Sequence, residues 1–335
     1  MERDVTPKLS AAEVGFLWSH FMGNSMNIVM LKHFLTYVED REDEMVLRYG
    51  LDAAVRIDAA IPAILTKEGF PRPKGFSDED LDQGAPRLFT DAGSLYYVKR
   101  MVQLAMPAAA QGLVSSQRAD VRDFFSMSAR LGEELDNRVT HVLLAKGLMI
   151  RPPLLPIQKE MKTAGKDLMG NLLGKQRPLL SIEIAHIFVN LMNNVFGNHV
   201  VAGFSQVARA EELREYFFRG MEIANKHLKV FADTLNDSGL KSPMTWDAMP
   251  TLSTTPPFSD RFMLSLVTSV TAMGLGHYGL ALAASMRPDL AAMYVRLIAE
   301  VGMYLADGTA LLIRNRWLEE PPGAPDRAAL ALSGR

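Results

Sequence analysis

Cysteine is absent from the 335 residues. That excludes disulfides, thiolate catalysis, iron–sulfur clusters and zinc fingers. An excess of one charge sign is missing too: 36 basic residues face 38 acidic ones, for a formal net charge of −2. No overall field draws the chain to nucleic acid or anionic lipid. Short runs of β-branched alternation are scarce, which argues against sheet. The opening MERDVTPKLS is charged and has no apolar run, which predicts no secretory signal and a cytoplasmic protein. Apolar residues are plentiful: 48% of the chain is hydrophobic, with 20 methionines. That supplies core for about two domains at roughly 100–200 residues each.

The chain repeats itself. Shifted by 170 residues, LSAAEVGFLW from Leu9 meets LLSIEIAHIF from Leu179, and Glu13, Met22, Asn24 and Phe34 meet Glu183, Met192, Asn194 and Phe204. Gly69, Pro73 and Pro86 meet Gly239, Pro243 and Pro256 at the same offset. A shift of 169 then aligns Asp91 with Asp260, Arg118-Ala-Asp120 with Arg287-Pro-Asp289, and Pro152-Pro153 with Pro321-Pro322. Register kept through turn residues over such a length indicates duplication.

Apolar spacing predicts four helices per copy, near 11–38, 42–68, 91–117 and 119–146, then 181–207, 211–236, 259–286 and 288–316. Ser10 to Glu13 reads as a capping box, Thr90 and Ser259 as N-caps, and Gly69 and Gly239 as helix stops. Short links surround one long central connection in each copy, the loop pattern of a ferritin-like bundle. The expected fold is all-α: two tandem ferritin-like four-helix bundles at 8–151 and 179–318. A linker at 152–178, with a short amphipathic helix, joins them, and a tail follows at 319–335.

Residues 262–286 hold no Asp, Glu, Lys or Arg, a length and composition that would suit a membrane span. Their counterpart at 91–117 carries Asp91, Lys99 and Arg100 near its start. The expectation is therefore a pair of buried third helices at the interface between the bundles rather than a span.

Several motifs fail on context. Gly274 to Gly279 matches G-x-G-x-x-G but lies inside an apolar helix with no strand before it. Gly170-Asn-Leu-Leu-Gly174-Lys175 is one residue short of a phosphate loop, and no nucleophile elbow is present. A ferritin-like fold raises the question of a di-iron centre, which takes Glu-x-x-His twice. Here that motif occurs once, at Glu183-Ile-Ala-His186, and neither third helix carries a carboxylate past its first residue. A standard di-iron site is not expected, and Glu13 and Glu183 read as capping acids at positive helix ends.

Counting along antiparallel helices nevertheless sets Asn190, His227 and His277 level in the second bundle, with Glu300 and His186 about a turn away. His186, His227, His277 and Glu300 are thus candidate ligands for one transition metal ion. Asn190 and Asn194, and in the first copy His20, Asn24 and Asp58, are the other inward polar candidates. Ile57 stands opposite His227 and Ala108 opposite His277, so any metal site belongs to the second copy.

The segments FPRPKGFSDEDL, APRLFTD, KGLMIRPPLLPI, GFSQVA, PMTWD, PPFSD and RNRWLEEPP, with the paired openings, resemble domain-of-unknown-function family 3231. That resemblance covers about residues 8 to 330. It implies a duplicated helical protein of spore-forming bacteria, related in fold to spore-coat-like ferritin-type bundles, with no established activity. Members often place a His in the second helix of the first copy, where this chain has Ile57-Asp58.

Three readings of function follow: a non-enzymatic binding or structural module associated with spores or stress, a metal-binding bundle, or a carrier of a small apolar molecule in the second bundle. A homo-oligomer fits the first.

Overall fold

The computed structural model describes residues 7–160, 162–170, 176–243 and 249–333. Among them there are no strands, only isolated bridges. The first repeat holds α1 (Ala11–Tyr37), α2 (Arg41–Lys67), α3 (Asp91–Ser115) and α4 (Ala119–Ala145). The second holds α5 (Ser181–Val207), α6 (Glu211–Asp237), α7 (Asp260–Ala284) and α8 (Pro288–Arg314), and a short α9 (Arg327–Ser333) lies in the tail. In the linker the described residues form only a 3-10 turn at Lys166–Met169, and residues 161 and 171–175 lie outside the description.

Local chemistry sets the helix ends. Ser10 and Glu13 close a capping box, while Thr90 and Ser259 accept from Gly93 and Phe262. These bonds satisfy N–H groups that a helix start leaves open. Gly69 and Gly239 stop α2 and α6 at φ 82° and 72°, a conformation that favours glycine. Glu13 also reaches the far hairpin, accepting from the Gln117 and Arg118 N–H groups at 2.9 and 3.0 Å. Burial pushes its pKa up, but N–H donors from Arg118, Ser10 and Gln117 outweigh that and bring it to about 2. Glu183 does the equivalent work with Leu180 and Met286 N–H.

Helices pack as hairpins, α1 on α2, α3 on α4, α5 on α6 and α7 on α8. The two repeats are not separate bodies. One core runs through both, with Phe34, Phe89 and Tyr97 from the first repeat meeting Phe196, Phe204, Phe258 and Phe262 from the second. Across the repeats rings meet edge-on or tilted, Phe89–Phe204 at 6.2 Å and Tyr97–Phe196 at 5.9 Å.

The long loops pair across this seam. Leu81 bridges Phe258 and Phe89 bridges Pro250. Thr90 N–H donates to the Met249 carbonyl at 2.9 Å, and Ser259 N–H to the Asp80 carbonyl at 3.0 Å. Thr251 N–H donates to Leu88 O, and Asp82 N–H to Pro257 O, both at 2.8 Å. Adding 169 to the first-repeat member of a contact and subtracting 169 from its second-repeat partner generates the other contact of each pair, so the loops are joined self-complementarily, as in a two-fold dimer. This pairing already holds from Asp80 onward. The residue lost between copies therefore falls before Asp80, and the sequence match of Pro86 with Pro256 is not a structural equivalence.

The third helices sit at the seam through their N-terminal halves, but chiefly against first helices: α3 packs on α5 and α7 on α1. Lys99 and Arg100, the charges near the start of α3, are buried. α7 is long and apolar enough to cross a membrane by length and composition. It is not buried all round: Phe262–Thr268 are covered, whereas Leu280 is 61% exposed. The bare half carries small residues (Ala272, Gly276, Gly279, Ala283), which offer little apolar area for a partner to cover.

Candidate functional site

The two bundles differ most in their interiors. In the second, a polar chain runs from core to surface. Asn194 Nδ2 donates to the Tyr278 hydroxyl at 2.7 Å, and that hydroxyl meets His227 Nδ1 at 2.9 Å. His227 Nε2 lies 3.1 Å from Glu300, whose carboxylate also accepts from Lys226 at 2.9 Å. The carboxylate can only accept, so Nε2 carries the hydrogen and Nδ1 takes the tyrosine's. His227 is fully buried, and burial lowers its pKa against the raising effect of Glu300, which keeps it neutral. Burial raises the Glu300 pKa, but Lys226 and His227 outweigh it and leave the carboxyl below its usual range.

Of the four candidate metal ligands, the structure brings only His227 and Glu300 together. His277 turns away to Asn193, whose Nδ2 meets its Nδ1 at 2.8 Å, and His186 lies near His277 rather than near Glu300. Among the described residues, no three His, Asp or Glu side chains converge as a metal ion would require. Level heights along the bundle misled because neighbours on one helix, such as His277 and Tyr278, point about 100° apart. Asn190 is fully buried beside the Tyr294 hydroxyl.

Aromatic rings fill the rest of the second bundle. Tyr216 and Tyr304 stack at 4.3 Å, and each hydroxyl reaches the other's backbone carbonyl. The stack lies against Gly220 and Gly308, where any side chain would collide with a tyrosine. The remaining cavity there is about 90 Å³.

In the first bundle Val46 stands for Tyr216, Leu135 for Tyr304 and Ala109 for Tyr278, all smaller, while Ile57 for His227 and Leu131 for Glu300 exchange polar groups for apolar ones. Ile57, Leu131 and Leu135 line a cavity of about 530 Å³. Gly50, Ala53 and Ile57 of α2, Met101 and Met106 of α3, and Leu131 and Leu135 of α4 form much of its wall. Leu266 and Met273 of α7 close it from the other repeat.

Polar groups on that wall are few, and His20 and Asn24 are bonded to the protein. His20 Nε2 meets Ser128 Oγ at 2.7 Å, and burial pulls its pKa down to about 4. Asn24 Nδ2 donates to the Ala54 carbonyl at 2.6 Å. Asp58 sits half-buried behind Asn24, its pKa raised by burial against the pull of Arg72. At one edge Glu319 and Pro321 of the tail reach the cavity, and Glu319 accepts from Lys74 and Gly75 N–H.

The cavity had one signal in the sequence: the pairing of Ala108 with His277 marks lost volume as well as a lost ligand. Two buried residues had none. His33 Nε2 takes the Leu88 N–H at the seam, and Arg100 lies beside Asn193.

Comparison with known proteins follows the duplication. The sequence model of a family described as a protein of unknown function, DUF3231, matches residues 4–161 and again 167–330. No curated protein matches. One solved structure, described as a "putative spore coat protein" from Bacillus halodurans C-125, is similar to the chain at 20% identity and a TM-score of 0.41. It covers 45% of this chain and 98% of its own. A likeness at that level assigns neither fold nor function.

Proposed function

The chain belongs to the DUF3231 family, and from that premise and the contrast between its repeats we propose that it is a binding protein whose first bundle holds an elongated apolar molecule. The single observation that supports this is the cavity of about 530 Å³, walled mainly by carbon. Ligand sites commonly span roughly 300–1,000 Å³ with few polar groups. Left empty, the apolar part of that wall lacks packing partners, which costs stability. Water gains little there because the wall offers it few partners. An apolar guest removes both penalties. The sequence pointed to the second bundle for such a carrier, but the room lies in the first.

Glu319 and Pro321 make the tail part of the wall, so the guest would enter or leave where the tail crosses the 74–75 loop. The family resemblance favours spore association, and fractionating vegetative cells and spores checks it. Binding is tested with a fluorescent apolar probe, 1-aminoanthracene, on the wild-type protein and on Ala53→Phe, which fills the cavity. Saturable binding at one probe per chain, weakened at least tenfold in Ala53→Phe with the fold intact, is the expected result. Absence of saturable binding to the wild type, or equal binding to both, would refute the reading.

A further inference from the structure

A buried guanidinium ordinarily has a carboxylate beside it, because an unpaired charge loses its hydration without compensation. Three of the four buried cations among the described residues follow this rule. Arg118 pairs with Asp120 and Glu68, Arg287 with Asp289, and Lys99 with Asp136. Arg100 does not. It is 6% exposed, its terminal nitrogens donate to the neutral amide oxygens of Gln103 and Asn193, and its Nε–H is buried without a partner. Burial lowers its pKa to about 10, so it stays charged at neutral pH.

Its surroundings are basic as well. Asn193 accepts from Arg100 and so must donate to His277 Nδ1, which leaves the His277 hydrogen on Nε2. Burial, then Arg100, then His186 all lower the His277 pKa, so His186 adds a third basic group nearby. These side chains come from α3, α5 and α7 and meet no described acid. Asn193, His186 and His277 are half-buried, which leaves the cluster reachable from solvent. Asn193 also borders a cavity of about 90 Å³, beside Leu104 and Gly274, so one member of the cluster adjoins open space.

We propose that Arg100, Asn193 and His277 form a binding site for one small oxyanion, a carboxylate or phosphate group, at the seam between the repeats. The Nε–H of Arg100 and the Nε2–H of His277 are the donors left for it, and a bidentate acceptor suits a guanidinium best. The duplication does not repeat the site, since Ser269 stands for Arg100 and Gly23 for Asn193. One site per chain is therefore expected. It stands independently of the apolar cavity.

The test is calorimetric titration and thermal unfolding with inorganic phosphate and with acetate, each against chloride at equal ionic strength. For the wild type we expect saturable binding of at least one of the two at one per chain, and a Tm rise of a few degrees at saturation. Arg100→Met should lose both responses and, without added anion, unfold no earlier than the wild type, because it removes an uncompensated buried charge. His277→Gln should weaken binding about tenfold and serves if Arg100→Met fails to fold. Lack of a saturable response to either anion, or the same response in both variants, overturns the proposal.

Discussion

The first and second bundles share helix lengths and the side-chain caps of their third helices, yet one is hollow and the other is filled. At five equivalent positions the second has Tyr216, Tyr304, Tyr278, His227 and Glu300 where the first has Val46, Leu135, Ala109, Ile57 and Leu131. The helix frame tolerates both because its ends are fixed by caps and cross-hairpin bonds, such as those of Glu13 and Glu183, that do not depend on what fills the middle. Duplication here supplied two copies of a frame, and their interiors then became different things: a cavity in one, a tyrosine–histidine–carboxylate chain in the other.

Acid should break the molecule by the largest margin. Burial, joined at His33 by Arg87, lowers the pKa of His20 and His33 from 6.5 to about 4. Below 6.5 the unfolded chain binds protons that the folded chain refuses, so stability falls as pH drops from about 6.5 to about 4 and the loss then levels off. Each histidine should cost about 2 kcal/mol at pH 5. Urea unfolding at pH 7 and pH 5 measures this, and His33→Gln should reduce the loss between them by about 2 kcal/mol. An unchanged slope would remove the seam histidine from the account.

Equivalent glycines sharpen the contrast at the next level. Gly220 abuts the Tyr304 ring and hydroxyl, while at Gly50 the nearest atoms to an added methyl are leucine carbons at 3.5 Å. Gly220→Ala should therefore cost about 1–3 kcal/mol by overpacking. Gly50→Ala should gain about 0.5–1 kcal/mol from helix propensity. Paired denaturant titrations decide it, and losses of equal size would mean the first bundle is as full as the second.

The smallest effect lies after α4 and α8. Gly147 takes φ 67° in the first repeat, and Arg316 takes φ 58° at the equivalent position in the second. Arg316→Gly should stabilise by about 1 kcal/mol, and Gly147→Ala should destabilise by a similar amount. A rise and a fall of a few degrees or less in Tm would be read.

Helix positions and caps were legible because they follow from local chemistry: Ser10 with Glu13, Thr90 with its own helix start, Gly69 at a helix stop. The family was legible from ordered segments and was matched in both repeats. Pairing of the long loops was not, since Leu81 with Phe258 and Phe89 with Pro250 depends on residues about 170 apart, and the repeated Pro86 suggested a different register. For the candidate site, His227 with Glu300 could be found from helix heights, but the direction of His277 could not, because height says nothing about azimuth. In the sequence Arg100 is only a charge near the start of a third helix, and its neutral partner Asn193 comes from the packing of α3 against α5.

The most direct measurement is a crystal structure of the protein soaked with an apolar probe such as 1-aminoanthracene. The account predicts probe density in the first bundle, between Gly50, Met101 and Leu135, and none between Tyr216 and Tyr304. A first-bundle cavity filled by ordered water, or by inward collapse of its own side chains, with no probe bound, would contradict it.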